Sequence, residues 1–383
     1  MRERVAAEGR RGHLTAIAVV GAAIILTVAG CGSAGATPSG ATTSSPTAAG
    51  ASASVSGAVS ATPTPPTPAP TSTPPASDLI AYAATMDGNV VPVDVTAGRA
   101  ETPIPADLRP EAIAITPNGR TAYVADAFAA TVTPIDLTTG VAGAAISIAS
   151  NSGISSIAIS PNGATAYVAV VPAVQTDGVV VPIDLATGVP EAGIPVGADP
   201  VAIAITPDGS AAYVVDSGDG TITPIALPSG TPDPGIVVGG NPVDIAITPN
   251  GGSAYVMDGL DTGSVIPITL STNPTRDVVE PAIAVVSGEA EAIAIAPDGS
   301  RAVVVGGTGA NLISLPTGAQ VGATISGTFT AVAITPDGTT ALLGVAGGSG
   351  ASPAVLPAGL SAGASGAPIP LAGEPVAIAF RPA

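Results

Sequence analysis

Twenty-eight carboxylates stand against ten cations in this 383-residue chain, and every cation is arginine. The single histidine, His13, and the single cysteine, Cys31, both fall in the first thirty-one residues. The rest of the chain has no imidazole, thiol or lysine amine for a Ser-His-Asp or Cys-His nucleophile, or for a zinc or copper site built on nitrogen and sulfur. What remains for chemistry is oxygen, the ligand set of a hard cation such as calcium. The carboxylates recur in two kinds of place. Glu111, Asp199, Asp244, Glu289, Glu291 and Glu374 precede or open short apolar runs, with Arg109 among them; Asp87, Asp126, Asp216, Asp219, Asp258 and Asp261 occupy polar turns after other runs.

If those two sets of loops emerge on one face, they make an acidic funnel suited to calcium or a cationic ligand. The same residues have a plainer use, because turn Asp bonds nearby backbone amides and surface Glu maintains solubility. Asp216-Ser217-Gly218-Asp219-Gly220 looks superficially like a calcium loop, but it lacks the spaced carboxylates and distal Glu of an EF-hand.

The elements that position these residues are read most clearly at Val201 to Gly230, VAIAITPDGSAAYVVDSGDGTITPIALPSG. Val201 to Thr206 alternates Ala with Ile, a period of two that predicts a strand. Pro207-Asp208-Gly209 supplies a fixed φ, a self-bonding side chain and a residue tolerant of positive φ, which together predict a tight turn. Strands follow at Ala211 to Val215 and Thr221 to Leu227, and a weaker fourth run spans Gly235 to Val238. Four short antiparallel strands in little over forty residues predict one propeller blade.

The turn recurs with prolines at 117, 161, 207, 249, 297 and 336. Six blades therefore open with a complete first strand. The seventh is predicted from both ends: Pro375 to Pro382 supplies a first strand, and Ile80 to Ala83 with Asn89 to Val95 supplies the second and third. Five tyrosines, Tyr82, Tyr123, Tyr167, Tyr213 and Tyr255, hold one place in the second strand; Val303 and Leu342 replace them in the last two complete blades, which should be the least regular. Alternating small and large residues let inner strands interdigitate near a narrow axis, so Ala204 is expected to have no room for Phe. The expected fold is all-β, a seven-bladed propeller of four-stranded antiparallel blades over 78–383, closed by pairing N- and C-terminal strands.

These repeats resemble the YVTN-type β-propeller family, on Ile203-Ala204-Ile205-Thr206-Pro207-Asp208-Gly209, Ala212-Tyr213-Val214, Thr131 to Leu137 and Thr139-Gly140. One departure is consistent, Asp at 126, 216 and 258 where the family has Asn. The resemblance implies a secreted or surface-exposed propeller and assigns no reaction.

The N-terminus reads as an address. Arg2, Arg4, Arg10 and Arg11 precede an apolar run, Leu14 to Val28, closed by Val28-Ala29-Gly30-Cys31. This tetrapeptide resembles the bacterial lipobox, which implies cleavage after residue 30 and lipid on Cys31. Residues 31–77 are nearly all Ala, Gly, Ser, Thr and Pro, a composition that cannot offset its ordering entropy and reads as a disordered tether. Extended, residues 32–77 reach up to about 140 Å.

The net charge of −18 excludes a nucleic-acid partner. The expectation is a monomeric, non-catalytic binding or scaffolding propeller, outside the cytoplasm, anchored by lipid on Cys31 and facing an envelope protein, glycan or cationic ligand. No cofactor is expected, calcium being the one candidate. The alternatives are a lactonase- or lyase-type enzyme using a carboxylate-bound cation at the axial mouth, and an adhesive surface-layer-like component.

Overall fold

Val and Ile at alternate positions fit a pleated surface, and the residues between the runs accept turn dihedrals, so the chain folds into short hairpins. The computed structural model describes residues 79–106, 109–148, 152–172, 177–259, 263–285, 290–347, 352–361 and 363–381. The leader, Cys31, the tether, Asp261 and Glu289 lie outside the described residues. The described chain forms seven antiparallel sheets and a single turn of 3-10 helix, Pro274–Arg276.

In the third blade Pro200–Ile205, Ala211–Asp216 and Thr221–Ala226 pair in chain order, and the third strand carries an outer strand in two pieces, Thr231–Pro232 and Ile236–Val237. The seventh blade joins the two ends of the domain: Pro375–Phe380 pairs with Ile80–Thr85, setting Phe380 opposite Ala81 and Ile378 opposite Ala83. First strands of successive blades touch around the whole ring, and at the seam Pro375–Phe380 meets Pro110–Ile115.

The recurring turn is held from inside and outside the blade. The Thr206 hydroxyl donates to Asp208 Oδ1 at 2.7 Å and accepts from the Ala211 amide at 3.0 Å. Gly209 has φ 71°, and a Cβ there would stand 3.3 Å from Cδ of Pro161 in the preceding blade. Glycine is thus required by the backbone and by the close approach of a neighbouring blade.

The broken outer strand explains a proline that a central strand should not tolerate. Pro92, Pro134, Pro182, Pro224, Pro267 and Pro357 each sit inside a third strand, and five of them face a tyrosine. Their carbonyls accept from the outer segment, as Gly143 N–H to Pro134 O at 2.7 Å shows, so the missing proline N–H points where the outer strand bows away. The fifth blade has Leu312 at this place and bows all the same, so the break permits the proline and is not caused by it.

The five tyrosines are buried and wedge against the next blade; Tyr213, for example, packs on Ile245, Ile247, Val256 and Ile268. The fifth and sixth blades are the irregular ones. Each keeps one piece of outer strand, Ile325–Ser326 or Ile369–Pro370, and the other piece shrinks to an isolated bridge. Between them Val303 replaces the tyrosine and Ala358 replaces an isoleucine found at Ile135, Ile183, Ile225, Ile268 and Ile313, leaving an interstice of about 10 Å³, room for about one water.

Ala204 is partly exposed and packs against the core between the third and fourth blades, while Ala202 on the same strand is fully buried, the more stringent place to test overpacking. Ala202→Phe is expected to cost about 1–3 kcal/mol by overpacking. A thermal midpoint equal to that of the wild type would refute the assignment.

Candidate functional site

In the first, third, fourth, sixth and seventh blades the loop entering the first strand lies against the loop leaving the second strand, and backbone bonds hold the two together. Ala127 N–H donates to Arg109 O at 3.2 Å, Ser217 to Asp199 at 3.0 Å, Gly259 to Asn241 at 2.9 Å and Met86 to Glu374 at 2.9 Å. The two loop sets therefore share one face.

The Asp that ends the second strand completes this clamp. Asp126, with no exposed surface, accepts the Arg109 amide on Oδ2 at 2.8 Å and the Phe128 and Ala129 amides on Oδ1 at 2.8 and 2.7 Å. Asp258 accepts the Asn241 amide at 3.0 Å. Both carboxylates are engaged as caps of backbone donors, the use that turn chemistry gives Asp.

In the third blade the clamp is rearranged. Asp219 takes over the amide of the entering loop, accepting from Ala198 N–H at 2.7 Å. Asp216 turns to its own sheet and accepts the Thr223 hydroxyl at 2.5 Å and the Thr221 hydroxyl at 3.4 Å. Its Oδ1 is buried without a donor at bonding distance. Burial pushes the Asp216 carboxyl up to about 7; the threonine hydroxyls oppose this, and the neighbouring Asp219 charge adds to it. Asp199 holds a left-handed backbone with φ 53° beside them.

Three of the carboxylates read as loop residues belong to strands. Glu111 and Glu291 are second residues of first strands, each at a bulge in the pairing. The same place holds Ser155 and Thr330, whose hydroxyls donate across to Pro200 O and Pro375 O of the next blade, both at 2.5 Å. Asp244 lies one residue deeper, where other blades have Ala112, Ser156, Ala202, Ala292, Ala331 and Ala377. It is fully buried, accepting the Ile245 amide at 2.8 Å and, from the next blade, the Ile293 amide at 2.9 Å. Burial pushes its carboxyl up to about 7, against the pull of those two amides. Asp244 is thus an internal tie between blades and faces no funnel.

Glu374 is partly exposed just before the closing strand, and Asp87 is exposed, accepting the Thr85 hydroxyl at 2.5 Å. Among the described residues no three His, Cys, Asp or Glu side chains come together as a metal-binding group.

What the carboxylate pattern overlooked is an aromatic pair on the same face. The Arg109 guanidinium stacks 4.6 Å from the centroid of the Phe128 ring, and Phe128 is 70% exposed. A signal was available: the chain has three Phe, and Phe128 alone falls in a loop, at a place where other copies have Asp87, Gly218, Leu260, Thr308 and Gly347. On the opposite side of the blades Tyr213 donates to Asp277 at 2.8 Å; burial raises both groups, and the nearby carboxylates help hold the phenol protonated.

No protein-family model and no curated protein matches the sequence. Solved structures share the fold. A functionally unknown protein from Desulfotomaculum acetoxidans DSM 771 superposes with a TM-score of 0.67 at 16% identity, over 80% of this chain and 100% of that one. Hydrazine synthase of Kuenenia stuttgartiensis gives 0.59 at 20% identity, over 67% of this chain and 86% of that one.

Proposed function

We propose that the chain is a non-catalytic binding or scaffolding propeller of YVTN-repeat type, held outside the cytoplasm by lipid on Cys31 and projected from the membrane by the 31–77 tether. The observation that carries this reading is the use made of the acidic loops. Asp126 and Asp258 cap backbone amides and Asp244 ties two blades, while the same loops expose the apolar Phe128 and Met86, with Arg109 stacked on Phe128, beside the exposed Asp87, Asp199 and Asp219. The absence of His, Lys and further Cys after residue 31 points the same way, since general acid-base chemistry near neutral pH draws chiefly on such groups.

The full chain expressed in a lipoprotein-processing bacterium is expected to take up labelled palmitate and to sediment with membranes, and Cys31→Ala to lose the label. Wild-type protein without label would overturn the anchor. Capture of an envelope component by the wild-type chain after detergent extraction is expected for the binding role. Lactone hydrolysis that depends on millimolar calcium would replace that role with the enzymatic alternative.

A further inference from the structure

Seven large apolar side chains are exposed among the described residues. Five are valines on outermost strands. The other two, Met86 and Phe128, sit on the loops that leave the second strands of the seventh and first blades, neighbours across the ring seam.

Both loops are held fixed. Met86 N–H is bound to Glu374 O at 2.9 Å and Gly88 N–H to Thr85 O at 3.0 Å. The buried Asp126 carboxylate bonds the amides of both partners in the stack, Arg109 and Phe128, so a single side chain positions the whole pair. Ala130 closes the loop at φ 50°, an uncommon backbone for alanine. A lone exposed Phe needs no explanation. Here a rigid ring, a thioether and an arginine share one face, and these residue types are enriched where proteins meet, with little ordering entropy left to lose.

The surround is acidic. Asp87 is exposed, and Glu111 and Glu374 are partly exposed at the edges of the same loops. With a net charge of −18 over the full chain, the protein attracts positive partners and repels negative ones.

We propose that Met86, Phe128 and Arg109 anchor a docking surface for a basic protein segment that presents one apolar side chain between positive charges. The apolar side chain lies against Met86 and the free part of the Phe128 ring, Arg109 props that ring, and the flanking charges meet Asp87 and Glu374. This inference rests on the binding role proposed above and names its surface and partner chemistry.

The test uses the full chain labelled at methionine methyls, with acetyl-Lys-Phe-Lys-amide as probe. The Met86 methyl signal is expected to shift saturably at millimolar peptide, while that of the buried Met257 stays in place. At least tenfold weaker responses are expected from acetyl-Lys-Ala-Lys-amide and acetyl-Glu-Phe-Glu-amide, and higher salt should weaken binding. Phe128→Ala should abolish the Met86 response with the thermal midpoint unchanged, and Met86→Gln should weaken binding when Phe128 is intact. A silent Met86, equal responses to the three peptides, or full binding by Phe128→Ala would overturn the proposal. An envelope component captured equally by wild type and Phe128→Ala would place the contact elsewhere and leave the binding role standing.

Discussion

Removal of residues 375–383 is expected to lower the thermal midpoint by more than about 10 °C, or to leave no cooperative melt. Pro375–Phe380 is the first strand of the seventh blade, and Ile80–Thr85 has no other partner on that edge. Its side chains divide between two interfaces. Val376, Ala377 and Ala379 join the core with Tyr82, Ile113 and Val124, whereas Ile378 joins the core with Leu343, Val355 and Val91. Deleting the strand therefore opens both flanks of the seam at once. Burial of Val376 and Ile378 with the smaller residues between them is worth roughly 5 kcal/mol, against about 5–15 kcal/mol for a whole domain. Polar ties go too: Arg381 donates from Nε to Gly119 O at 2.7 Å and from its amide to Ile80 O at 3.4 Å. Scanning calorimetry of the full chain beside the truncated one reads the effect, and a midpoint within about 2 °C of wild type would mean that the ring does not depend on its closing strand.

That closure was legible in the sequence because a repeat cut at two ends leaves complementary fragments, and Tyr82 carries the register across the cut. Turn and strand placement followed for the same reason: every copy must solve one packing problem, and Gly209 and its counterparts show the solution. The outer strand was visible only as the weak run at Gly235 to Val238, since its other piece, Thr231–Pro232, is too short to have a period. The carboxylates were harder. Asp244 reads as a loop residue because it interrupts apolar alternation, yet the strand begins at Pro242 and the carboxyl group is held inside by two amides, one from a residue forty-nine positions on in the next blade. Glu111 and Glu291 were misplaced by a bulge, which shifts a residue without changing the pattern around it. Phe128 escaped because its meaning depends on Arg109, brought to it by the Asp126 clamp, and no periodicity reports a contact between two loops.

The two buried carboxylates make stability depend on pH in a direction unusual for Asp. Asp216 and Asp244 titrate near 7 in the folded chain and near the ordinary carboxylate value of 3.8 when unfolded, burial being the main cause in both. Between about pH 4 and 7 the folded state thus holds protons that the unfolded state has released, so stability is fully present below the lower value and declines as pH rises through the upper one. For groups this enclosed the loss is on the order of a few kcal/mol each. The opposite sign applies to Asp136 and Asp184, held below the ordinary range chiefly by the amides of Thr139 and Thr187; their contribution is present above the unfolded value and lost in stronger acid. The thermal midpoint is therefore expected to peak near pH 4–5 and to fall steadily toward pH 8. Screening with salt separates this from repulsion among surface carboxylates, because buried groups are shielded least. Asp244→Ala, which installs the residue that most blades carry at that place, and Asp216→Asn should each remove about one proton from the pH slope, and the double variant should be nearly flat between pH 5 and 8. Slopes identical to wild type in both variants would show that the two carboxyls are ionised in the folded protein, and that the amides of Ile245 and Ile293 suffice to hold a bare charge between two blades.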